Sequence, residues 1–194
     1  MMTIVGHKGL GKFINVGIIS YNMTKDAIML QFFLEPMRKF GVRELSRQLK
    51  LDTKTIMNCL KTLRKEKIIV KRAKKGAFPY YEANRLSPIY RFEKSHFLIQ
   101  KIIRSNLIQF LEQRLNSKAI VLFGSVAKGT YHKKSDIDLF VQAPYKRINL
   151  SGFERKLGHE IRMLFEVNMK NMTPGLLENI YNGERLSGKI QVLA

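Results

Sequence analysis

The chain has 194 residues, with 35 Lys+Arg against 15 Asp+Glu, a formal net charge of +20 and 45% hydrophobic residues. That much apolar material excludes a chain disordered throughout, and the length allows one ordinary domain or two small ones. The single cysteine, Cys59, excludes an internal disulfide framework and an all-cysteine zinc site, and no apolar run approaches the ~18 residues of a bilayer span. A reducing, cytoplasmic setting without membrane contact is the expectation.

The charge points to polyanionic partners. Residues 21–90 hold 16 basic and 6 acidic groups, so half of the net excess sits there. These basic residues alternate with periodic apolar ones, which predicts a folded basic module rather than a disordered arm.

Residues 1–20 form an N-terminal extension. Gly6-His7-Lys8-Gly9-Leu10-Gly11-Lys12 has the spacing of a phosphate-binding P-loop. Only five residues precede it where a buried strand is needed, and Phe13 stands where the Mg²⁺-binding hydroxyl belongs. Nor is Phe13 to Ile19 a secretory signal, because Asn15 and Gly17 interrupt it. The expectation is a frayed tail or a short added strand, with Met23 as an alternative translation start.

From Thr24, read as an N-cap, the pattern is helical, with Ile28, Leu30, Phe32, Phe33 and Leu34 on an apolar face and Gly41 ending the segment. Val42 to Leu49 reads as a second helix, and Asp52 as the cap of a third, Thr53 to Lys65. In that third helix Ile56, Cys59, Leu60 and Leu63 make a buried stripe, while Lys54, Asn58, Lys61 and Lys65 line another face. Amide and ammonium groups in such a row suit base edges and phosphates in a DNA major groove; the alternative is a solvated lysine face. Cys59 reads as a small buried residue rather than a nucleophile. Ile68 to Ala73, a Lys74-Lys75-Gly76 turn, and Phe78 to Asn84 then read as a hairpin.

Three helices followed by a hairpin with a basic tip resemble the winged helix-turn-helix fold. The resemblance implies DNA as a partner, Thr53 to Lys65 as recognition helix, and a wing whose Lys74 and Lys75 touch backbone phosphate. A homodimer is the usual arrangement for such proteins. Ser87-Pro88 marks the boundary, and Ile89 to Asn116 is predicted as one long helix, either a connector between modules or a dimerisation helix.

Ala119 to Phe123 reads as a short buried strand that runs into Gly124-Ser125, and ten residues later comes Asp136-Ile137-Asp138-Leu139. The chain has only four aspartates, and two of them sit here one residue apart in an apolar strand. At period two they share a face, and like charges so close repel unless a cation joins them. Oxygen ligands with open positions suit Mg²⁺, which takes its remaining ligands from water and substrate phosphates. Gly124 allows close backbone approach to a phosphate, Ser125 offers a hydroxyl, and a helix starting near Val126 aims N–H groups at the same place.

This constellation resembles the DNA polymerase beta superfamily of nucleotidyltransferases, especially its minimal members, over residues 115–193. The resemblance implies a mixed sheet with helices, a nucleoside triphosphate substrate and Mg²⁺ as cofactor. It also implies transfer of a nucleoside monophosphate to a hydroxyl acceptor, a protein hydroxyl being one class. Gly124, Ser125 and Lys128 would bind the nucleotide, and Asp136 and Asp138 would hold two Mg²⁺ ions that clamp the attacking and departing oxygens of an in-line displacement. The family carries a third carboxylate on the next strand, here Ile161 to Val167. The first position to align is Arg162, which cannot ligate a metal. Glu166 is the expected substitute and the third catalytic residue, and Glu160 shares the same face if the strand starts early. His132, Lys133 and Lys134, in the loop between the turn and the aspartates, read as nucleotide or acceptor contacts or as a solvated run.

The expected fold is α+β: an extension (1–20), a winged helix-turn-helix domain (21–88), a connecting helix (89–116) and a nucleotidyltransferase domain (117–194). Two functional readings follow. One is a Mg²⁺-dependent nucleotidyltransferase with a fused DNA-binding module. The other is a DNA-binding regulator or antitoxin-like protein whose second domain senses nucleotide or is degenerate.

Overall fold

The computed structural model describes residues 23–191, so the Gly-rich extension and the expectations attached to it lie outside the described residues. The architecture is α+β, with two sheets of two and four strands. The basic half contains α1 (Met23–Leu34), α2 (Val42–Leu49), α3 (Thr53–Lys65) and a hairpin of β1 (Ile69–Arg72) and β2 (Tyr80–Ala83). Helix α1 already runs at Met23, so Thr24 lies in its first turn rather than capping it. Asp52 caps α3 as expected, its carboxylate accepting the Thr55 N–H at 2.8 Å. Ile28, Phe32, Phe33, Leu45, Ile56, Leu60 and Leu63 are fully buried together, and Phe40 bridges Tyr81 to close the hairpin over them.

The predicted long helix is two. Helix α4 (Pro88–Arg104) starts on Ser87 with Pro88 in its first turn and stops at Ser105; α5 (Leu107–Leu115) starts anew. Asn106 adopts φ +66°, and the Ser105 hydroxyl donates to the Ile102 carbonyl at 2.6 Å while accepting the Leu107 N–H. Serine and asparagine compete for backbone groups, and asparagine tolerates left-handed backbone, so the pair breaks a helix that apolar periodicity alone would continue. The kink folds Leu107, Ile108, Leu111 and Leu115 back into the core that Leu98 and Ile102 of α4 enter.

The second sheet has the order β5-β4-β3-β6, built from β3 (Ala119–Phe123), β4 (Ile137–Val141), β5 (Ile161–Phe165) and β6 (Glu184–Gly188). Strand β3 is antiparallel to β4 and β6, while β4 and β5 are parallel and are joined through α7 (Ser151–Leu157). Ile120, Leu122, Ile137, Leu139 and Val141 face the α4–α5 core. Val121 and Phe140 point to the opposite face, where they meet Met169 and Ile180, the latter in α8 (Pro174–Tyr181). Period-two alternation therefore puts Asp136 and Asp138 on the α8 face, beyond its apolar cluster.

Helix α4 joins the two halves. Tyr90 donates to the Phe32 carbonyl at 2.9 Å, and Tyr131 donates to the Lys94 carbonyl at 3.1 Å. Ser95 donates to the Ala127 carbonyl, the Lys133 N–H reaches the Leu34 carbonyl of α1, and Gly129 lies so close to the Arg91 carbonyl that no Cβ fits. Between the tyrosines sits Lys94, only 1% exposed, with its ammonium 4.7 Å from the Tyr131 ring centre and 5.5 Å from that of Tyr90.

No carboxylate of the described residues pairs with Lys94. Burial pulls its pKa from 10.5 down to about 8. The folded state thus binds fewer protons than the unfolded chain between those values, and stability from this group rises as pH climbs from about 8 to 10.5. Lys94→Met is expected to raise the thermal midpoint at pH 7 and to flatten its rise with pH over that window; a variant with the wild-type slope would show that the ammonium is not desolvated.

Candidate functional site

Strand β3 delivers the chain to Gly124, whose φ of +71° suits glycine. A Cβ built there would overlap the Asp138 carboxylate, and Phe123 is the ladder partner of Asp138. The glycine–serine bend and the second aspartate, fourteen positions apart in sequence, are therefore in van der Waals contact. Helix α6 (Gly124–Ala127) is a single turn, tied by Lys128 N–H to the Gly124 carbonyl and Thr130 N–H to the Ser125 carbonyl. One turn carries little macrodipole, so any anion affinity rests on the N–H groups of the bend and the half-buried Ser125 hydroxyl.

Asp136 and Asp138 are both half-buried on the same face. Burial, and then the charge of Asp136, push the Asp138 carboxyl above its ordinary value, with Arg162 opposing them. The parallel register pairs Asp138 with Arg162, and the Arg162 guanidinium lies 2.9 Å from the Asp136 carboxylate. This ion pair has no signal in the local sequence, because only the β4–β5 register brings the two side chains together.

Glu166 lies just past the end of β5, beside Val141, four residues beyond Arg162. Its carboxylate accepts the Val167 and Asn168 N–H groups at 2.8 and 2.9 Å, capping the turn there. A glutamate followed by Asn168 in a turn finds local donors more cheaply than a distant site. Glu160 is the carboxylate nearer the pair: its carbonyl accepts the Ile137 N–H, and it lines a cleft of about 420 Å³ with Asp136, Arg162, His159, Lys133 and Lys134.

Lys128 is not turned freely towards the aspartates, since its ammonium donates to Asn179 of α8 at 2.6 Å. His132 is folded into its own loop, its Nδ1 accepting the Lys134 N–H at 3.1 Å. Lys133 and Lys134 are exposed at the cleft rim. His159, unremarked in the sequence, is buried against Tyr131 with Nδ1 2.7 Å from the Ser135 carbonyl, and burial lowers its pKa.

In the basic half, Lys54, Asn58, Lys61 and Lys65 are all exposed along α3, opposite a buried stripe of Ile56, Leu60 and Leu63, and Cys59, expected to be buried with them, is only half-buried. Lys74 and Lys75 are exposed in the hairpin turn, where Gly76 takes φ +77°. Nearby, Arg43 stacks over Phe78, which is 85% exposed.

Residues 104–182 match the nucleotidyltransferase domain family. The match runs from the end of α4 through α8, and so contains the bend, both aspartates and Arg162. No curated protein matches the chain.

The family's chemistry calls for a divalent ion. Among the described residues no group of three or more His, Cys, Asp or Glu is placed to hold one. Asp136 and Asp138 alone fit one Mg²⁺ that takes its remaining ligands from phosphates and water; Arg162, the third neighbour, is no donor. Gly124→Ala must move either the backbone or Asp138, and is expected to cost about 1–3 kcal/mol, read as a lower thermal midpoint. An unchanged midpoint would place the bend away from the carboxylate.

Proposed function

We propose that the chain is a Mg²⁺-dependent nucleotidyltransferase joined to a DNA-binding winged helix. The nucleotidyltransferase match of residues 104–182 supports the general class, and the packing of Gly124 on the Asp138 carboxylate carries the finer reading. An anion-binding bend and two carboxylates at one point suit a metal-bound triphosphate and little else. In this reading the bend's N–H groups and Ser125 hold the β- and γ-phosphates, and Asp136 and Asp138 would hold the divalent ion that the triphosphate brings. The bound ion supplies charge neutralisation on the phosphate oxygens. The acceptor hydroxyl, received in the cleft at Glu160, Lys133 and Lys134, attacks the α-phosphorus in line; its proton passes to water, the α–β phosphoanhydride bond breaks and pyrophosphate leaves.

The order of three helices and a basic hairpin supports the winged-helix reading, with α3 in the major groove and Lys74 and Lys75 on phosphate. Asn58 would read a base edge, and Lys54, Lys61 and Lys65 would neutralise phosphates. The Arg162–Asp136 pair favours a second reading, a DNA-binding regulator whose second domain binds nucleotide without transferring it.

Incubation with Mg²⁺ and labelled ATP separates the readings. Label in protein or RNA that disappears in Asp138→Ala supports transfer; nucleotide binding without label supports the regulator. For the basic half, Lys61→Ala and Lys74→Ala are each expected to weaken DNA binding and to reduce the slope of log affinity against log salt by about 1. Unchanged retention on a DNA column would count against the wing assignment.

A further inference from the structure

Two carboxylates on adjacent same-face positions, one of them partly desolvated, require compensating positive charge. Part of it is covalently present. Arg162 faces Asp138 across the parallel ladder and binds Asp136 at 2.9 Å, while its side chain remains 69% exposed. It is not anchored by burial, and the open cleft beside it leaves the guanidinium free to swing away. The guanidinium meets Asp136 through one carboxylate oxygen, and a metal ion on the other would be a second cation at the same group, so the two compete by mutual repulsion.

Phosphoryl transfer sites that use two ions clamp both the attacking and the departing oxygens, and a second ion needs oxygen ligands of its own. The position that would supply them on β5 carries Arg162 instead. Glu166 lies past the end of β5, where its Oε1 accepts the Val167 and Asn168 N–H groups. We propose that Arg162 is a built-in cation: it holds Asp136 until a nucleotide-borne ion displaces it, and it limits the site to one divalent ion. The inference rests on the metal–nucleotide reading above and adds how that site is regulated and how many ions it takes.

The test counts ions and does not depend on transfer. Mn²⁺ binding to the full chain is followed by electron paramagnetic resonance, with and without one equivalent of a non-hydrolysable ATP analogue. With the analogue, the wild type is expected to bind one Mn²⁺ per chain and Arg162→Glu two. Without it, Arg162→Gln is expected to bind Mn²⁺ about 2- to 5-fold more tightly than the wild type, the range an exposed ion pair contributes. Arg162→Glu should bind it more tightly still. Two ions in the wild type, one in Arg162→Glu, or equal nucleotide-free affinity in wild type and Arg162→Gln would each overturn the proposal. Failure of the analogue to bind any variant would instead defeat the nucleotide reading, and the nucleotide-free comparison would still decide the role of Arg162. Because Arg162 is exposed, its variants should keep the wild-type thermal midpoint to within a few degrees, and a larger fall would mean that the pair is structural.

Discussion

The contact between the Gly124 backbone and the Asp138 carboxylate organises the C-terminal half. It exists because β3 and β4 pair with Phe123 opposite Asp138; β3 is apolar throughout, so β4 sets the faces, with Ile137 and Leu139 in the core and Asp136 and Asp138 away from it. A slip of one residue would turn Ile137 and Leu139 out of the core and Asp136 and Asp138 into it. Burying two unpaired carboxylates among Leu98, Ile102 and Leu111 would cost far more than the sheet gains, so the core dictates where the acidic pair emerges. A glycine is then required at the bend, because any side chain there would collide with the carboxylate it serves.

Electrostatics set the character of the site once that geometry is in place. In a chain of net charge +20, two of the four aspartates stand one residue apart on one strand face. Their immediate surroundings are mixed: Arg162 binds one member, Glu160 lines the same cleft, and Lys133 and Lys134 stand at its rim. Helix α8 and its apolar cluster cover the far end of the same sheet face, which is why the aspartates stay only half-buried.

The loop that leads from the bend to the aspartates is held from outside the sheet. Tyr131, Gly129 and Ala127 lean on α4, and Lys133 is bonded to the end of α1. Tyr90 of the same α4 is bonded to α1 and packs edge-on against Phe33. The basic half and the acidic pair thus share one rigid contact, with Lys94 buried at its centre. A buried lysine with only aromatic rings and one phenol for company costs stability at neutral pH, so this joint is tight sterically but charged at its core.

What was legible in the chain by itself was whatever depends on local periodicity. The stripe of α3, its Asp52 cap, the hairpin with its Lys74-Lys75-Gly76 turn, the strand before Gly124 and the shared face of Asp136 and Asp138 all follow from spacings of two or of three and four residues. Where a local competitor acts, periodicity misleads: Ser105 and Asn106 broke a helix whose apolar pattern continues. Strand register and domain packing were beyond reach, because they are chosen by the sum of many buried contacts between residues distant in sequence. Only the folded chain could set Arg162 against Asp136, bury Lys94 between two tyrosines, and press a glycine onto the carboxylate fourteen residues further on.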